Sequence, residues 1–141
     1  MGHNLPNILK TIYNTDKIRM KDETEEEIAL IKSKTDTETF LPWAKQDYAC
    51  IVLNLRVEYS QLGLEKARSD FQLLIDVALN YGGSYFLTYH RWARKDQLLE
   101  AYPQFPVFLD LKLKYDPQEM FQSDWYRFYK EMFSNGGIAF R

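Results

Sequence analysis

An α+β domain, with an antiparallel or mixed sheet and helices packed on one face, is what this sequence predicts. Three observations predict it. Residues 49–59 alternate apolar and polar with a period of two. Residues 64–81 repeat their apolar positions at helical spacing and close on Gly82-Gly83. Residues 84–89 are a second apolar and aromatic run. Strand, helix, strand with a long crossover puts the two strands in one sheet with the helix against it. The chain has 141 residues, 45% of them apolar and 27% charged, which is one globular domain with enough apolar surface for a core.

Taken in order, residues 1–39 are an N-terminal extension, partly flexible. Ile12-Tyr13 and Ile18-Arg19-Met20 read as a short strand. Lys21 to Glu27 is dense in charge and free of apolar residues, either a solvated loop or an acidic docking surface. Ile28, Leu30 and Ile31 follow, then a polar run to Thr39. Phe40-Leu41-Pro42-Trp43-Ala44 is an apolar knot around a proline, an entry loop anchored on the core. The alternating strand then places Ile51, Leu53, Leu55, Val57 and Tyr59 on one face and Cys50, Val52, Asn54, Arg56 and Glu58 on the other. The second face either meets water or lines a cleft with three polar groups spaced about 7 Å apart.

Ser60 to Gly63 is turn-like, and a helix follows from Leu64 to Tyr81 with Leu64, Ala67, Phe71, Leu74, Val77, Ala78 and Tyr81 inward. Gly82-Gly83 caps it; the pair follows a helix, whereas a phosphate-binding glycine loop precedes one. Ser84 to Tyr89 is the second strand, ending in the donor-bearing cluster His90-Arg91-Trp92. Lys95 to Ala101 is a short helix ended by Tyr102-Pro103. Phe105-Pro106 opens another, with Val107, Phe108, Leu111 and Tyr115 on one stripe, broken at Asp116-Pro117. Gln118 to Phe133 carries Phe121, Trp125, Phe128, Tyr129 and Phe133 at helical spacing, and Asn135-Gly136-Gly137 ends it, leaving 136–141 as a tail.

Composition excludes several classes. A net charge of −2 does not suit a nucleic-acid binder that works by general electrostatics. A single cysteine, Cys50, excludes an internal disulfide framework and a Cys-rich zinc site, and fits a reducing, cytoplasmic home. No apolar run approaches the roughly 20 residues of a transmembrane segment, and no signal-peptide core is present. No dinucleotide fingerprint, Walker loop or nucleophile elbow occurs. His90 is the only histidine besides His3, so a two-histidine metal site or a serine triad is hard to assemble and no metal is expected. The aromatic tail is a core or an interface, or a stacking platform. On residues alone, the function stays open.

A longer pattern narrows it. Gly82-Gly83-Ser84-Tyr85-Phe86-Leu87-Thr88-Tyr89-His90-Arg91-Trp92-Ala93 is followed in order by Ala101-Tyr102-Pro103, Phe108, Lys112, Tyr115-Asp116-Pro117 and Phe121-Gln122-Ser123-Asp124-Trp125-Tyr126. This set resembles the C-terminal portion of FAD-linked oxidases of the vanillyl-alcohol-oxidase type, such as alditol oxidase, the sugar-lactone oxidases and decaprenylphosphoryl-ribose oxidase. The Phe40–Ala44 knot and Asp47 are similar to the bacterial branch, and the resemblance covers roughly residues 40–130. Each piece alone is common; the ordered set is specific.

The resemblance implies that residues 40–135 are a cap or substrate domain. Such a domain covers the flavin ring while an alcohol or sugar-type substrate passes a hydride to it. The FAD-binding half, with its glycine-rich pyrophosphate loop, has no counterpart in this chain. The cofactor is therefore FAD in the complete enzyme, not held by this chain alone, and the isolated residues are inactive. The implied partners are an FAD-binding domain in cis or trans and a small-molecule substrate, with a homo-oligomer left open.

Site residues carry over position by position. Asn54 and Arg56 match the two side chains that the family's strand presents to flavin and substrate, and Glu58 shares their face. Tyr89, with His90 beside it, matches the family's residue near the flavin's pyrimidine edge. Several relatives have lysine there and this chain does not. His90 is then the candidate base, Arg56 stabilises negative charge, Asn54 and Tyr89 contact the cofactor, and Arg56, Glu58 and Arg91 meet the substrate. Phe121, Ser123 and Asp124 belong to a segment that returns toward the flavin domain. Two other readings stand beside the cap: a non-catalytic interaction module that uses the aromatic tail, and a stand-alone enzyme centred on His90.

Overall fold

The computed structural model describes residues 28–53 and 57–134. The expected strand at 12–20, the acidic run, Asn54, Leu55 and Arg56, and the tail lie outside these residues. Two strands, β1 (Ile28–Ser33) and β2 (Tyr48–Leu53), precede four helices, α1 (Gln61–Asn80), α2 (Lys95–Ala101), α3 (Phe105–Tyr115) and α4 (Asp124–Ser134). The described chain is mixed α+β and mostly helical.

The strands pair antiparallel, from Ile28 opposite Leu53 to Ser33 opposite Tyr48. β2 is shorter than the alternation implied: Val57, Glu58 and Tyr59 lie outside it. Its partner also differs. The expected strand at Ser84–Tyr89 is irregular chain that closes in a turn at 87–89. Side chains, not a ladder, satisfy its carbonyls: the Tyr102 hydroxyl donates to Tyr85 O, and Trp125 Nε1 donates to Leu87 O at 3.1 Å. The strand beside β2 comes instead from Ile28, Leu30, Ile31 and their neighbours. No residue of β2 is fully buried.

Helix α1 starts three residues earlier than its apolar stripe. Ser60, in extended conformation, caps it by accepting the Gly63 N–H on Oγ at 3.0 Å. At the other end Gly82 takes φ +69°, and the N–H groups of Gly82 and Gly83 donate to the carbonyls of Leu79 and Ala78, both at 2.8 Å. Its buried residues are Ala67 and Ile75; Leu64, expected inward, is exposed. Helix α2 has the expected bounds. The Gln97 Oε1 accepts the Arg94 N–H at 3.0 Å to cap it. The Gln97 amide donates to Gln72 O at 2.7 Å and to Asp76 Oδ1 at 2.6 Å, which ties α2 to α1. Arg94 completes the joint by pairing with Asp76 at 2.9 Å and Asp96 at 3.1 Å.

The core lies among the helices. Leu98, Ala101, Tyr102, Phe105, Leu109, Tyr129 and Phe133 are buried together with Leu87 and Tyr126. Phe105 sits at its centre, with ring centroids 5.2 Å from Tyr129, 5.6 Å from Phe133, and 5.7 Å from both Trp125 and Phe108. The stripe of α3 differs in phase from expectation. In α3, Phe105 and Leu109 point inward while Val107 and Tyr115 are exposed. The stripe of α4, which starts at Asp124, faces the core as expected: Tyr129 and Phe133 are buried with Tyr126, and Trp125 and Phe128 pack against them, while Phe121 is outside the helix and exposed.

Candidate functional site

The segment from Gly83 to Arg94 leaves α1, crosses the helical core and returns to α2. Three side chains of the helices and their connections hold it by its backbone. Besides the bonds to Tyr85 and Leu87, Gln72 Nε2 on α1 donates to Trp92 O at 2.8 Å. Leu87 and Ala93 are its buried anchors. Phe86, Tyr89 and His90 are left on the outside.

His90 is held by aromatic faces. Its imidazole stacks on the Trp92 indole with centroids 4.6 Å apart and planes 14° apart. Phe71 of α1 meets His90 at 4.6 Å and Trp92, edge-on, at 5.1 Å. No described residue hydrogen-bonds its ring nitrogens. Tyr89 is exposed and packs on Phe86 at 4.9 Å, which in turn meets Trp43 at 6.1 Å. Arg91 donates from Nη1 to Asp124 O at 3.1 Å and lies 5.8 Å over the Phe128 ring. Its charge thus sits at the start of α4.

The structure brings Tyr89, His90 and Arg91 together as consecutive exposed residues. Asn54 and Arg56 lie outside the described residues. Glu58 is exposed, but in irregular chain just before a bend and not on β2; its carbonyl accepts the Ser60 N–H at 2.9 Å. The expected row of three polar groups on one strand face therefore does not reach Glu58.

A second feature lies between α3 and the start of α4. An open groove of about 520 Å³ is lined by Phe108, Lys112, Met120, Phe121, Trp125 and Tyr126, among others. A carboxylate network builds its wall. Asp116 pairs with Lys112 and accepts the N–H groups of Met120 at 2.9 Å and Phe121 at 3.0 Å. Those bonds, the lysine's first, hold its carboxyl below the usual range. Glu119 adopts φ +52°, rare for a residue with a side chain. Its carboxylate is held at 2.6 Å by Lys130 and at 2.8 Å by the Tyr126 hydroxyl, and both lower its pKa. Burial, then Glu119, pushes the Tyr126 hydroxyl up to about 12.

Chemically, these residues offer an exposed edge of donors, not a cradle. An imidazole, a phenol and a guanidinium can orient an oxygen or nitrogen of a bound ring. Sequence reasoning missed the clamp made by Phe71 and Gln72. Phe71 was legible only as a core residue of a helix, because its contact with His90 is tertiary.

Among the described residues no helix is long and apolar enough to cross a membrane, and no group of three potential ligands could hold a metal ion. Comparison with known proteins adds no relative: no family model, curated protein or solved structure matches the chain.

Proposed function

We propose that this chain is the substrate-side cap of an FAD-dependent oxidoreductase that oxidises an alcohol or sugar-type substrate. The flavin-binding domain is supplied in cis or trans, in a reducing compartment such as the cytoplasm. One observation carries this reading. Three members of the ordered pattern, Gly82, Tyr102 and Trp125, act on the segment that carries His90, and two more, Asp116 and Ser123, order the chain around α4. Gly82 turns the chain, Tyr102 and Trp125 hold its carbonyls, Ser123 caps α4 by accepting the Tyr126 N–H at 3.1 Å, and Asp116 shapes the loop between α3 and α4. On this reading, these contacts hold Tyr89-His90-Arg91 in place for a partner surface.

When bound, the flavin supplies the hydride acceptor. This chain's part is to orient and to handle charge. His90 takes the substrate hydroxyl proton, Tyr89 contacts the ring edge, and Arg56 offsets negative charge that develops on flavin or product. Asn54 orients the hydroxyl. Glu58 and Arg91 meet the more distant substrate oxygens.

The test uses the polypeptide that carries these residues, isolated from its source cells and mixed anaerobically with a panel of polyols, aldonolactones and sugars. One member bleaches the flavin, and Arg56→Ala abolishes bleaching while bound flavin is retained. A second reading, an interaction module derived from such a cap, is favoured by the exposed apolar residues Met120 and Phe121 that line the groove. It predicts that Arg56→Ala is silent and Trp125→Ala weakens partner binding.

A further inference from the structure

A side chain that must take a proton from a bound substrate works best when its rotamer is fixed before the substrate arrives. Exposed histidines usually sample several rotamers, and a hydrogen bond to one ring nitrogen is the common restraint. That restraint is absent here among the described residues. What holds His90 is a set of ring contacts: Trp92 lies flat against the imidazole at 4.6 Å, and Phe71 touches both rings. The clamp is itself anchored. Gln72, next to Phe71 on α1, holds the Trp92 carbonyl, and the buried Gln97 holds the carbonyl of Gln72. Restraint by faces, not by a ring-nitrogen bond, leaves both nitrogens available for chemistry.

We infer that Phe71, on helix α1, and Trp92, which α1 anchors through Gln72, are positioning residues, which set the orientation of the His90 imidazole and so determine how it meets the flavin and substrate. The inference rests on the reading of His90 as the group beside the flavin. Neither ring needs to touch substrate or cofactor for this role.

Two measurements test it. In the 141-residue chain, the His90 ring protons are shifted upfield in the NMR spectrum by the Trp92 ring current. Trp92→Leu removes that shift, and Trp92→Phe retains part of it. In the native flavin-bearing polypeptide, the midpoint potential of the bound flavin is then measured for His90→Ala, Trp92→Leu, Phe71→Leu and the double variant His90→Ala/Trp92→Leu. The inference expects Trp92→Leu to reproduce at least about half of the His90→Ala shift, and the double variant to move no further than His90→Ala alone. Phe71→Leu follows the same rule, and it stands in if Trp92→Leu does not fold. Trp92→Phe stays near wild type. A shift for His90→Ala with none for the clamp variants, or shifts that simply add, overturns the inference and leaves the cap reading intact. No shift for His90→Ala in a flavin-loaded protein removes His90 from the flavin edge, and the inference with it. A native polypeptide without flavin overturns the proposed function itself.

Discussion

Replacing Phe105 by alanine should break the core at its centre. Phe105 is fully buried, with four aromatic rings within 5.7 Å of its own. A phenylalanine buries roughly 150–250 Å², and at about 25 cal/mol per Å² its transfer alone is worth roughly 4–6 kcal/mol. Alanine keeps part of that, while the cavity adds a cost, and measured Phe→Ala changes of about 3–5 kcal/mol agree. Urea unfolding of the chain, followed by tryptophan fluorescence and far-ultraviolet circular dichroism, reads this directly. In a parallel thermal melt the midpoint temperature should fall by roughly 10–15 °C for a chain of this size. Tyr115→Ala is the control. The sequence pattern puts Tyr115 on the inner stripe of its helix, but it is 77% exposed, so its loss should stay within about 0.5 kcal/mol. A loss below about 1 kcal/mol at Phe105, or an equal loss at Tyr115, would refute the core described here.

Gly63→Ala should destabilise the chain although alanine favours helix. An added Cβ would stand 2.2 Å from the Glu58 carbonyl oxygen and 2.9 Å from the Glu58 Cβ, so the turn entering α1 must move. The expected cost is about 1–3 kcal/mol in urea unfolding, and a stabilised variant would count against the packing of residues 57–63. Acid should unfold the protein progressively. Asp116 is depressed by the Lys112 bond, Glu119 by the Lys130 bond and Asp76 by the Arg94 bond. A carboxyl whose folded pKa lies below its unfolded value contributes stability that is present above the unfolded value and lost as pH falls through the folded one. Urea midpoints should therefore decline from about pH 5 downward, and Asp116→Asn should flatten the decline. A midpoint that holds steady or rises between about pH 5 and pH 2 would contradict these pairings.

Helix punctuation was legible because it is local. Gly82-Gly83 marked the end of α1, and Tyr102-Pro103 the end of α2, since the conformations these residues permit do not depend on distant partners. The phase of α3 was not legible. Phe105, Val107, Phe108, Leu109 and Leu111 surround the helix with apolar groups, so periodicity does not say which face turns inward. The Ser84–Tyr89 segment misled for a related reason. Its burial does alternate, with Leu87 buried and Phe86 and Thr88 exposed, but a strand needs a neighbour's backbone. Tyr102 and Trp125 supply side chains instead, one of them 38 positions away. β1 was overlooked because its apolar part is brief and follows an acidic run. At the site, His90, Arg91 and Tyr89 were visible as a donor cluster. The clamp that holds His90 was not, since Gln72 and Trp92 meet 20 positions apart and only through the fold.

The central claim is that these residues serve a flavin. The most direct measurement is the flavin content of the native polypeptide, captured from its source cells with an antibody raised against this chain, and denatured to release any bound cofactor. The account predicts close to one FAD for each copy of this chain, carried on the same polypeptide or on one that remains bound to it. A captured protein with no flavin, from cells in which the chain is intact and folded, would contradict it.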